Sequence, residues 1–362
     1  MSRAAPRSRP PAALGYRWPA EWEPHAATWL AWPHERSDWP GKFAPIPWVY
    51  GEVVRHLVPG ERVRILVQDA STERQARAIL RRLDVDLDRV DFFRVPTDRS
   101  WTRDFCPLFV RRKDGDVALV NWKFTGWAKY RNWKRDDAVP DRLARLLGRR
   151  QWKPQFAKRG SRIGSRIVLE GGAVDVNGRG TLLTTEECLL SPVQARNPGA
   201  TRADLEQALA AYLGSRHVIW LGEGIVGDDT HGHVDDVARF TDERTVVVAA
   251  EENTADPNHR RLLENRRRLE AATDQDRRPL RVVTLPMPAP LSCDGQRLPA
   301  SYANFYVGNA VVLVPTFNDP EDRHALNTLA KLFPTRRVVG IHAVDLVLGL
   351  GTLHCMTQPE AA

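Results

Sequence analysis

Short apolar runs along the chain are broken by tight-turn dipeptides and followed by stretches of helical periodicity, and this order recurs. Phe109–Val120 reads as two strands around Asp114-Gly115, a pair that favours a tight primed hairpin turn. Behind it the pattern predicts a helix near Asp141–Arg150 and a strand at Ile167–Glu170. The next hairpin turns at Asn177-Gly178. Its helix spans Arg202–Leu213, where Leu205, Leu209 and Leu213 share one face, and HVIWLG supplies the closing strand. A third copy runs from VARFTDERTVVVAAE through a charged helix near Pro257–Thr273 to RVVTLP. In the fourth, FYVGNAVVLVPTF turns at Gly308-Asn309, and PEDRHALNTLAKLF and RVVGIHA complete it. A fifth copy is split across the termini, with GTLHCMTQ at one end and ATWLAWP, a helix near Val49–Leu57 and RVRILVQ at the other.

Units of this ββαβ type at a spacing of about 50–70 residues predict a closed α/β array, the alternative being an ordinary mixed sheet. In such an array the inner ends of the units meet on one axis. Polar residues at the hairpin ends of different repeats then become neighbours.

A chain of 362 residues can bury a large core without staples. With 42% hydrophobic and 27% charged residues it has the composition of a globular protein, and no apolar run approaches the ~20 residues of a membrane span. MSRAAPRSRPPAALG lacks the apolar stretch of a secretory signal. Residues 1–15 are expected to be a disordered tail, a transit-like peptide being the other reading, with one catalytic domain over residues 16–362. Cys106, Cys188, Cys293 and Cys355 form no CxxC pair, which argues against a structural zinc site or a disulfide framework and suits a reducing cytoplasm. Most of the net charge of +8 comes from Lys129–Arg166, which holds 13 Lys or Arg against three Asp. Interleaved Tyr130, Trp133, Trp152 and Phe156 would suit base stacking, yet no nucleic-acid-binding motif accompanies them, so a solvated basic face is preferred.

Four polar segments fall at unit boundaries: WTRDFCP with Asp104, LEGGAVDVNGRGTLLTTEECLL with Glu170, GDDTHGHVDD at residues 227–236, and GLGTLHCMTQ with Cys355. In an extended segment His231, His233 and Asp235 would share a face, so a zinc or manganese site is one rival. A Cys–His hydrolase is a second, since imidazolium promotes thiolate formation. The surplus of carboxylates around one candidate sulfur separates this chain from a papain-like arrangement and implies a cationic substrate.

Taken in order, WTRD, LEGG with TLLTTEECLL and RNPG, GHVDD, SYANFYVGNAVVLVPTFNDPED and GLGTLHCMTQ resemble agmatine deiminases and the related bacterial peptidylarginine deiminases. The likeness runs from PAEWEPHAATWLAWP to the C-terminal HCMTQ. It implies a fivefold pseudosymmetric α/β propeller (the pentein fold) and hydrolysis of a guanidino group to a ureido product and ammonia. It further implies Cys355 as nucleophile, His233 as acid and base, Asp104 and Asp235 on the guanidinium, Glu170 in support, and Asp229 on the substrate. Trp32, Trp101 and Trp127 are candidates for cation–π contact with a second positive charge. The expected partner is a small guanidinium compound, agmatine first and free or peptidyl arginine second. No metal or organic cofactor, membrane or nucleic acid is expected, and a homodimer is left open. Phe105-Cys106-Pro107, Thr125, Asp175 and His231 depart from the pattern of that family. The first two departures lie near the expected tail site and bear on which guanidine is taken.

Overall fold

The computed structural model describes residues 9–156 and 165–362. Residues 1–8 of the expected tail, and 157–164 of the basic stretch, lie outside the described residues. Within the expected tail, Pro11–Leu14 forms a single 3-10 turn, and the Trp152 indole donates to Arg9 O at 3.0 Å.

The chain opens with β1 (His25–Ala31), α1 (Ile46–Leu57), β2 (Arg62–Val67), α2 (Ala70–Arg82) and β3 (Val90–Arg94). A one-turn helix α3 (Thr102–Phe105) then leads into β4 (Leu108–Arg111), β5 (Val117–Val120), α4 (Lys134–Asp137), α5 (Val139–Leu146) and β6 (Gln151–Trp152). The next unit holds β7 (Asp175–Val176), β8 (Thr181–Thr185), α6 (Glu186–Leu190), α7 (Arg202–Leu213) and β9 (His217–Leu221). It is followed by β10 (Ala238–Phe240), β11 (Thr245–Ala250), α8 (Pro257–Ala271) and β12 (Arg281–Pro286). A small hairpin of β13 (Ser292–Cys293) and β14 (Gln296–Arg297) precedes β15 (Tyr306–Val307), β16 (Val311–Thr316), α9 (Glu321–Leu332), β17 (Arg337–His342) and β18 (Gln358–Ala361).

Each repeat makes the same small sheet. An antiparallel pair is extended by a parallel strand reached through the helix, giving β4-β5-β6, β7-β8-β9, β10-β11-β12 and β15-β16-β17. The split unit has four strands in the order β18-β1-β2-β3. Central strands such as β8 and β16 are almost wholly buried, which is why they read as continuous apolar or threonine-rich runs. Neighbouring units touch in a closed cycle: β18 on β4, α3 on the turn at Gly171–Ala173, β7 on β10, β12 on α9, and β17 on α1. The fold is that of the pentein proteins, as the sequence implied.

Several local expectations are corrected. The parallel strand after α5 is β6, not Ile167–Glu170. That segment is an extended connector whose amides find separate partners, Pro154 O for Ile167 N and the Asn197 side chain for Val168 N. The helix expected near Asp141–Arg150 starts earlier, with Pro140 in its first turn, and ends before Gly148 at φ +61°. In the C-terminal segment Cys355 sits in a turn, and the strand begins only at Gln358. The hairpin at Asp114-Gly115 carries one left-handed residue, Gly115 at φ +89°, and so is not the primed turn expected of that pair. The helix Arg202–Leu213 appears as read, framed by a Thr201–Asp204 capping box and by Gly214 at φ +74°.

Candidate active site

Four turns just ahead of the antiparallel strands bring the chemistry together. They are α3, the 3-10 turn Gly171–Ala173 after Glu170, the 3-10 turn Val234–Asp236 after His233, and the C-terminal turn holding Cys355. Gly172 marks their meeting point. A Cβ there would stand 2.6 Å from His233 Nδ1, 2.9 Å from Asp235 Oδ2 and 3.0 Å from Asp104 Oδ1, so no side chain fits. The Gly172 amide donates to Asp104 Oδ1 at 3.0 Å. Asp228 shapes the His233 loop by accepting from the amides of Gly232 at 2.8 Å and His233 at 3.0 Å.

His233 is buried with neither ring nitrogen hydrogen-bonded. Nδ1 faces Asp104 Oδ1 at 3.8 Å and Asp235 Oδ1 at 3.9 Å, while Nε2 faces Glu170 Oε2 at 3.7 Å. Cys355 Sγ lies 3.8 Å from Asp235 Oδ2 and receives a hydrogen bond from Asn304 Nδ2 at 3.1 Å. Asp104 also accepts from the Trp127 indole at 2.9 Å. Five of the residues expected from the sequence, Asp104, Glu170, His233, Asp235 and Cys355, are therefore gathered at one buried point.

The electrostatics divide these groups. Burial raises Asp104 to about 6, helped by Asp235 and Glu170 and opposed by His233. Glu170 is equally buried, but the Arg196 guanidinium and His233 overcome that and bring it to about 2. Burial disfavours imidazolium at His233, yet Asp104 beside it, with Cys188 and Glu170, holds it well above the ordinary histidine range. Burial pushes the Cys355 thiol well up, and Asp235, Asp236 and Asp104 push it further. These directions favour imidazolium at His233 and the thiol form at Cys355. A bound guanidinium would neutralise the very carboxylates that keep the thiol protonated.

A pocket opens onto Asp104 and Cys355 and is lined by Trp101, Trp127, Tyr130, Asp229 and Arg99 among others. Trp101 and Trp127 thus lie on the pocket wall. Trp32 does not: it is 2% exposed in the main hydrophobic cluster, with its ring 6.2 Å from Tyr50, and stands outside the pocket lining. Asp229 is on the wall, but it forms an ion pair with Lys129 and accepts from Tyr130 OH at 2.5 Å. Arg99 lies 4.4 Å over the Tyr130 ring and pairs with Asp38. His231 takes no part, since its Nε2 lies 3.0 Å from Ser191 Oγ. The His231–His233–Asp235 metal alternative is therefore not assembled. Asp175 is buried against Arg239 at 2.9 Å, a structural position.

Sequence reasoning assigned no role to the residues that hold the site. Arg196 Nε contacts both oxygens of Glu170, at 3.2 and 3.3 Å. His354 joins Asp235 Oδ2 at 2.6 Å to Glu21 Oε2 at 3.0 Å, and Glu21 in turn pairs with Arg103 at 2.6 Å and Arg239 at 2.9 Å. Asn304 accepts from Thr352 Oγ1 at 2.7 Å and the His354 amide at 3.0 Å, and donates to Asp236 at 2.9 Å. All of them except Arg239 lie inside the segments that carry the family likeness, and that position was the only signal available.

A profile of the Porphyromonas-type peptidyl-arginine deiminases matches residues 17–360. Two similar sequences are the agmatine deiminases of Ectopseudomonas mendocina, 34% identical, and Pseudomonas aeruginosa, 35% identical, each alignment covering 97% of both chains. Among solved structures, the agmatine deiminase of Enterococcus faecalis superposes with a TM-score of 0.88 at 29% identity, covering 99% of both chains. Matched from residue 17 to residue 360 by that profile, and with buried carboxylates gathered beside a buried thiol, this chain belongs to the Porphyromonas-type peptidyl-arginine deiminase family.

Proposed function

We propose that the protein hydrolyses the guanidino group of agmatine, releasing ammonia and N-carbamoylputrescine, with Cys355 as a covalent nucleophile. The observation that carries this reading is the convergence of Asp104, Asp235 and His233 around Gly172, with Cys355 Sγ 3.8 Å from Asp235, an arrangement in which a planar guanidinium would meet two carboxylates with the sulfur alongside. Forked, charge-assisted hydrogen bonds of about 1.5–3 kcal/mol each would hold it and fix its carbon over sulfur.

Substrate charge on Asp104 and Asp235 lowers the Cys355 pKa, and the thiol proton leaves to solvent. The thiolate adds to the guanidinium carbon. Nδ1 of the His233 imidazolium protonates one NH2, and that nitrogen departs as ammonia, leaving a thiouronium on Cys355. The now neutral His233 takes a proton from water as hydroxide adds to the same carbon. Collapse to the urea expels sulfur, and the hydroxyl proton ends on the thiol. Glu170, fixed by Arg196, orients His233 from its Nε2 side.

Agmatine's ammonium end would compete with Lys129 for Asp229 and face the rings of Trp101 and Trp127. A second reading, free or peptidyl arginine, draws support from Arg99 on the same wall, a cation suited to a carboxylate tail. Ammonia release from agmatine, arginine and a blocked arginine peptide, in EDTA, separates the two. Turnover of agmatine that Cys355→Ala abolishes is the expected result. Turnover confined to arginine would overturn the agmatine assignment, and no turnover of any guanidine by folded, reduced protein would overturn the reaction class.

A further inference from the structure

The thiol of Cys188 takes no part in the chemistry above, yet it stands against the ring that does. Cys188 lies in α6, and it, Glu170 and His233 each offer one ligand atom, all within 4.8 Å of one another. All three residues are buried. His233 supplies an independent pointer. It is 1% exposed, its Nε2 has no hydrogen-bond partner, and that nitrogen is the one turned to Glu170. Imidazole nitrogen, thiolate and carboxylate are the donor set of tetrahedral zinc. Bonds of about 2.0–2.3 Å place such donors on the order of 3.5 Å apart, so these three need to draw in by about an ångström.

We propose that Cys188 Sγ, His233 Nε2 and one oxygen of Glu170 form an inhibitory site for a soft divalent cation of the zinc class, with water in the fourth position. Two protons leave to solvent, one from the Cys188 thiol and one from Nε2 of the imidazolium, as one dication arrives. The net charge of the cluster is unchanged, and no electron moves. Arg196 keeps its contacts, because a carboxylate has lone pairs enough for a guanidinium and a metal. A ring metallated on Nε2 holds its Nδ1 proton more tightly than imidazolium does. The acid that must protonate the departing nitrogen is then lost, a consequence that rests on the proposed role of His233. The binding itself does not.

Cadmium is the spectroscopic probe, because a bound thiolate gives an ultraviolet charge-transfer band whether or not the protein turns over. The full chain carrying Cys293→Ser, to remove the exposed thiol, is titrated with Cd²⁺. One equivalent should produce the band. It should persist when Cys355→Ala is added and vanish with either Cys188→Ser or His233→Asn, the latter leaving the thiol in place. Zinc should inhibit reversibly by EDTA, with at least a tenfold higher concentration required in Cys188→Ser. A band lost with Cys355→Ala and kept with Cys188→Ser would put the metal on the other sulfur and overturn the proposal. So would the absence of any band at stoichiometric cadmium.

Discussion

At the scale of single residues, the site is governed by which buried carboxylates are paired. Asp104 has an ordinary pKa near 3.9 in an open chain and about 6 here. In the proposed reaction the guanidinium needs its ionised form, so kcat/KM should fall as pH drops through about 6, mainly through KM. A pH profile of the two constants checks this, and Asp104→Asn should abolish the limb with most of the activity. Glu170 behaves oppositely because Arg196 neutralises it. Arg196→Leu would leave that charge buried with only the more distant His233 ring beside it, at a cost of about 3–5 kcal/mol read by denaturant unfolding. Asp104, Glu170, His233, Asp235 and Cys355 were legible through the family motifs that hold them, since each taken alone has an ordinary structural reading. Glu21, Arg196, Asn304 and His354 were not. Their work is to hold other side chains, and that depends on contacts between segments up to 333 positions apart, as for His354 and Glu21.

Elements show the same division between what is local and what is not. Helix α7 was readable to the residue because its cap, its leucine face and its terminating glycine are all local. Thr201→Ala should weaken it by about 1 kcal/mol without touching turnover, measurable in a urea titration. The connector at Ile167–Glu170 has the composition of a strand but lacks a ladder, and only the positions of Pro154, Lys123 and Asn197 decide that. Two elements of the split unit, the charged helix α2 and the strand β3, went unread because that unit has four strands where its siblings have three. The turn at Gly172 is the element on which the chemistry depends most tightly. Gly172→Ala should cut kcat by orders of magnitude while the far-ultraviolet spectrum stays native, because its Cβ would collide with His233 and Asp235 before it met any core residue.

On the scale of the whole molecule, five sheets are joined into a ring, and the joint is the pairing of β1 with β18. Glu360 sits there, buried, accepting from the Trp29 indole at 2.8 Å and pairing with Arg64 at 2.5 Å and Arg149 at 3.4 Å. Removing residues 358–362 should therefore abolish the cooperative thermal transition, and a native-like melt of the shortened chain would contradict the ring's dependence on this strand.

That joint also sets a schedule. Synthesis runs from β1 toward β18, and Trp29 must wait for a partner 331 residues further along. Cys355 comes just before β18, while Asp104, Glu170 and His233 are made long before it. A growing chain can therefore bring Asp104, Glu170 and His233 together before Cys355 exists, so the site we propose stays incomplete until the last strand is being made. In the proposed mechanism, the strand that closes the ring follows directly on the residue that completes the site.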